Sequence, residues 1–169
     1  MRAQTYPRST RDDFRRIVSA NPNAQVEIDA AGTITVTPPA GATSGHRNAQ
    51  LTHALWEWAE AHDYVAFDSS TGFALADGSI LSPDAAIVSR TNWDALTGEQ
   101  RETFLPLAPA VAIELVSPSD RPNELRAKLL HFRAAGAVFV ALIDPYRKTI
   151  WTDGSPPFGF SIDLESLLR

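Results

Sequence analysis

Two short apolar stretches each carry one carboxylate where a buried strand would be expected to carry none. "SPDAAIVS" at 82–89 holds Asp84, and "AIELVSPSD" at 112–120 holds Glu114. Burying a charge without a partner is expensive. Either acid alone reads as a strand-end carboxylate, solvated or paired with an arginine. Together they ask for a common explanation: two carboxylates on neighbouring strands repel unless a cation lies between them, and a hard divalent ion with oxygen ligands is the usual one.

Lys128 is the third candidate. In "VAIELV" Val111, Ile113 and Leu115 share one strand face and Ala112, Glu114 and Val116 the other, while the same alternation puts Asp84 with Ala86 and Val88. A helix starting near Asp120 carries Lys128 roughly 12 Å back along the sheet. The strand from Ser117 back to Glu114 covers about 10 Å. Lys128 and Glu114 can therefore lie at similar depth. The alternative is an exposed i, i+4 pair between Lys128 and Glu124.

The elements that must position these residues follow from periodicity and turn chemistry. "STRDDFRRIVSANPN" opens with a capping-box pattern, Ser9 to Asp12, and carries Phe14, Ile17 and Val18 at helical spacing. "AQVEIDAAGTITVTPPA" alternates about a glycine and reads as a hairpin. Gly45 to His62 places Leu51, Leu55 and Trp58 on one helical face. Asp77-Gly78 between apolar runs marks a second hairpin. "AVAIELV" and "VFVALID" are buried-strand runs, and the helix between them is capped by Ser119 or Asp120 and closed by Gly136. Strand, helix, strand implies a right-handed crossover between parallel strands. "KTIWT" adds an edge strand and "SIDLESLLR" a last helix. The fold class expected is α/β or α+β: a mixed central sheet flanked by helices, one domain over 1–169.

Composition narrows the function. With 15 basic and 20 acidic residues the formal charge is -5, so nucleic acid would have to be met by a local basic patch. The absence of cysteine excludes disulfides, zinc–cysteine sites and thiol nucleophiles. The N-terminus lacks the apolar core of a signal peptide, and no apolar run has membrane-spanning length. A cytoplasmic protein with no membrane partner is expected.

"SPDAAIVS", "APAVAIELVSPSDR", "KLLHFRAAG" and "LIDP", in that order, resemble the Uma-two family of restriction-endonuclease-like proteins, a branch of the PD-(D/E)XK nuclease superfamily. The likeness runs from about Ser9 to Leu168 and implies a restriction-endonuclease-like core. It implies that Asp84 and Glu114 hold a divalent metal, Mg2+ or Mn2+, for phosphodiester hydrolysis in nucleic acid, with DNA as the expected partner and a homodimer as the assembly. Where the superfamily places a lysine two residues after the glutamate, this chain has Val116. The resemblance makes Lys128, on the following helix, its replacement. Glu27 matches a family glutamate and is either an accessory site acid or an exposed hairpin charge. His46 stands where the family often has histidine, and either contacts a phosphate or a metal-bound water or sits beside a helix cap. Two other functions stay open: a catalytically idle binding or assembly domain of this fold, and hydrolysis of a small phosphorylated compound.

Overall fold

The computed structural model describes residues 3–161 and 163–167. Chain order is β1 (Gln4–Tyr6), α1 (Arg11–Ala20), β2 (Gln25–Ile28), β3 (Ile34–Thr37), α2 (Ala42–Ala61), β4 (Tyr64–Asp68), β5 (Phe73–Ala74), β6 (Ile80–Leu81) and β7 (Ala85–Ser89). There follow α3 (Arg90–Asp94), α4 (Gly98–Arg101), β8 (Val111–Leu115), α5 (Pro122–Ala134), β9 (Phe139–Asp144), β10 (Thr149–Gly154) and α6 (Leu164–Leu167). Ile162, Leu168 and Arg169, in the tail expected to form the last helix, lie outside the described residues.

The mixed sheet flanked by helices is present, with strand order β10-β9-β8-β7-β4. β8 and β9 are parallel and joined through α5, whereas β7 runs antiparallel to β8 with Ala85 opposite Ile113. The two hairpins do not extend this sheet. They pair with each other and with β1 into a second five-stranded sheet, β1-β3-β2-β6-β5, through an Ile28–Ile80 pairing.

Side-chain alternation divides the core. Ala85, Ile87, Val111, Ile113 and Ile143 pack under α2 with Leu51 and Leu55, while Ala86, Val88, Ala112, Val116, Val140 and Leu142 pack under α5 with Leu129 and Phe132. Every residue of β8 is buried, Glu114 included. The expected face assignment around Glu114 is therefore the observed one.

Several boundaries differ from the sequence reading. The first helix is capped by a Thr10–Asp13 box rather than Ser9–Asp12, because Ser9 is held in the extended lead-in by its N–H to Gly32 O at 2.8 Å. The N-cap of α5 is Arg121, one residue after Asp120 and two after Ser119, with Pro122 at the first helical position, where its missing N–H costs nothing. Asp120 is instead engaged within the preceding turn, accepting the Ser117 N–H at 2.8 Å. The Asp77-Gly78 turn has Gly78 at φ 92, a conformation that favours glycine. Asp77 accepts from the Ser79 N–H and Oγ and contacts His131 Nε2 at 2.6 Å, which ties this hairpin to α5. No helix among the described residues is long and apolar enough to cross a membrane.

Candidate active site at the junction of the two sheets

The link Ser82–Pro83–Asp84 carries the chain from β6 in one sheet to β7 in the other, and the candidate residues gather around it. Asp84 lies one residue before β7 and one register step beyond the Ala85–Ile113 pair, opposite Glu114. Its carboxylate takes over where the ladder stops: Oδ2 accepts the Leu115 N–H at 2.7 Å, and Oδ1 accepts from Asn48 Nδ2 of α2 at 3.2 Å. These bonds hold Asp84 at the end of β8, beside Glu114.

Lys128 comes down from α5 onto the same spot. Its Nζ donates to Ser82 O at 2.8 Å and lies 2.7 Å from both Glu114 Oε1 and Glu27 Oε1. Glu27 Oε1 also accepts the Ser82 N–H at 2.7 Å, and Gln25 Nε2, two residues earlier on β2, donates to Ser82 O at 2.7 Å. Ser82 is thus gripped from β2 and α5 together. The alternative pairing of Lys128 with Glu124 is not formed, since Glu124 meets Arg121 at 2.9 Å on the exposed side of α5.

The structure brings Asp84, Glu114, Lys128 and Glu27 into one cluster, with Glu114 buried and the other three partly buried. His46 is not part of it: it is exposed on α2, and no hydrogen bond or ion pair joins it to these residues among those described. The residue that α2 sends to the site is Asn48. Neither Asn48 nor Gln25 stands out in the sequence, because single amides in a helix or strand carry no spacing signal. Gln25 could have been found only as the same-face neighbour of Glu27.

Burial dominates the electrostatics. It pushes the Glu114 carboxyl up to about 8, against the pull of Lys128, and the negative charges of Asp84 and Glu27 add to the rise. Asp84 is raised too, chiefly by burial, with the Leu115 N–H and Lys128 opposing. For Lys128 burial alone would lower the value, but Glu114 and Glu27 more than offset it and the ammonium is held above its usual range. The short contact is that of an ion pair, in which Lys128 carries the positive charge.

Fully ionised, three carboxylates around one ammonium leave two uncompensated negative charges, which one divalent cation would balance. Glu114 Oε1 is buried and, although 2.7 Å from Nζ, is not aligned for a hydrogen bond with any donor. Among the described residues no group of three or more His, Cys, Asp or Glu side chains is arranged to hold a metal. Magnesium commonly rests on one or two carboxylates, with water and substrate phosphate completing its shell. Asp84 and Glu114 fit that sparse donor set.

The family model for Uma2, described as "Putative restriction endonuclease", matches residues 11–155, most of the chain and every residue of this cluster. The chain belongs to the Uma2 family. A nuclease-like function follows from that membership. The fold is also that of a crystal structure described as a putative nuclease belonging to DUF820 from Anabaena variabilis, with a TM-score of 0.66 and 16% identity over 85% of this chain and 89% of that one. No curated protein matches the chain in sequence.

Proposed function

We propose that this Uma2 chain is a metal-dependent nuclease that hydrolyses phosphodiester bonds in DNA at a variant site, with the catalytic lysine supplied by α5. The observation that carries the proposal is the 2.7 Å contact of Lys128 Nζ with Glu114 Oε1, made where the strand itself offers only Val116. In this reading Asp84 and Glu114 hold Mg2+ or Mn2+, whose chemistry when bound is to polarise a phosphate oxygen and acidify a coordinated water. Lys128 places its positive charge where negative charge builds up on the phosphoryl oxygens. Glu27 keeps Lys128 in position from β2, and Asn48 fixes the orientation of Asp84. Cutting both strands of a duplex calls for two such sites, so a homodimer is the assembly proposed.

The test is cleavage of plasmid and oligonucleotide DNA by purified protein with magnesium or manganese. Cleavage should vanish in EDTA and in Asp84→Ala, Glu114→Ala and Lys128→Met. Activity that survives chelation, or survives Asp84→Ala, would refute the mechanism. One observation favours a second reading, a catalytically idle binding or assembly domain: Lys128 already compensates part of the acid charge by touching both Glu114 and Glu27. Absence of cleavage and of metal binding would leave that reading in place.

A further inference from the structure

The turn between β9 and β10, residues 145–148, stands at the same end of the sheet as the carboxylates. Leu142 lies opposite Glu114 in the β8–β9 ladder, and Ile143 O accepts the Val116 N–H at 2.8 Å just beyond the end of β8. The turn begins three residues past Leu142, about 10 Å along the strand, or roughly three steps of a DNA duplex. Its shape is fixed from within. Asp144 is buried at the end of β9, and its Oδ1 accepts the Tyr146 and Arg147 N–H groups, each at 3.0 Å.

This turn presents two cations to solvent. The Arg147 side chain is 75% exposed, and its Nε lies 3.9 Å from Asp144 Oδ2, beyond hydrogen-bond reach. Lys148 is exposed, and among the described residues its ammonium meets no carboxylate. Arg15, Arg16 and Arg133, by contrast, reach carboxylates at 3.2, 2.6 and 2.8 Å. Lys148 also has φ 55, the left-handed conformation that turns of this kind usually give to glycine. A lysine adopts it at a cost in stability, and a side chain kept at that cost points to a use outside the turn itself. We propose that Arg147 and Lys148 bind backbone phosphates of the DNA about three nucleotides from the one to be cleaved. The inference rests on the nuclease reading for its ligand. A chain of net charge -5 repels a duplex, so cations free of firm acid partners are needed along the rim of the site, where they take phosphates and release counterions.

Binding is measured apart from cleavage, by fluorescence anisotropy of a labelled DNA duplex in calcium or in EDTA, over a range of salt concentrations. Lys148→Gly relieves the left-handed position and removes one charge. It should raise the melting temperature by a few degrees and yet weaken binding about tenfold at about 0.1 M salt, with the slope of log affinity against log salt reduced by about one. The double variant Arg147→Gln/Lys148→Gly should reduce the slope by about two. Arg90→Gln, the same loss of charge at the opposite end of β7 from Asp84, should leave the slope unchanged. A lysine serving the turn alone would instead lower the melting temperature in Lys148→Gly and leave binding as it was. An unchanged slope in the double variant, or an equal loss in Arg90→Gln, overturns the inference even if wild type cleaves DNA. A slope that depends on the turn, without cleavage, sustains it while the nuclease reading fails. No DNA binding by wild type overturns it outright, and the cleavage assay judges the nuclease reading separately.

Discussion

At the scale of single residues, the site is a problem in charge balance, and its members respond differently to neutralisation. Lys128 is the one cation among three acids, so Lys128→Met leaves buried carboxylates without compensation. It should lower stability by about 3 kcal/mol or more, read from urea midpoints. Glu114→Gln acts in the opposite direction, because Lys128 keeps Glu27 at 2.7 Å and the cluster loses one repelling charge. The sign of its pH dependence follows from the raised carboxyl. Glu114 titrates near 4.5 when unfolded and near 8 when folded, so between those values the folded state holds a proton that the unfolded state has released. Its contribution is fully present below about pH 4.5 and is lost as pH rises through about 8. The raised Asp84 acts in the same sense. Metal-free wild type should lose stability relative to Glu114→Gln between pH 6 and pH 9, and equal pH profiles for the two would mean that Glu114 carries no such strain.

At the scale of elements, a helix delivers what a strand usually would. Val116 is buried on the same face as Glu114, under α5, and only the crossover helix puts a lysine over that face. The double variant Val116→Lys/Lys128→Met should recover part of the cleavage lost in Lys128→Met, since the new side chain starts two residues from Glu114 on the same face. No recovery would mean that the α5 position is needed for more than charge. The approach of α5 is fixed three residues further on by His131 against Asp77, so His131→Ala should cost about 1 kcal/mol in thermal or urea melts. The parity of β8, the parallel crossover and the depth of Lys128 were all legible in the sequence, because strand and helix repeats are set by backbone geometry alone. β1 and β4 were not. Gln4–Tyr6 is too short to show alternation, and Tyr64–Asp68 is half-buried and follows a long helix without a turn signal. Thr10 rather than Ser9 became the cap because a distant backbone partner, Gly32, claims Ser9.

At the scale of the whole molecule, the site exists because two sheets meet. Glu27 comes from a hairpin of one sheet and Glu114 from the centre of the other, and the Ser82–Asp84 link makes them neighbours. Sequence separation hides such a meeting, which is why Glu27 could be suspected only by resemblance, while Asn48 went unmarked. The same architecture predicts how metal and fold are linked. A cation bound only by the folded cluster should raise the melting temperature by an amount that grows with its concentration.

Calorimetric titration of manganese into metal-free protein at pH 8 examines the central claim without depending on substrate choice. Wild type should bind one ion per chain with release of protons, since burial holds the Glu114 and Asp84 carboxyls above their usual range and the ion needs them ionised. Asp84→Asn should fold, because Asn48 can turn its amide oxygen toward the new side chain, and should bind no manganese. Equal binding by wild type and Asp84→Asn, or none by either, would contradict the assignment of Asp84 and Glu114 as a metal site.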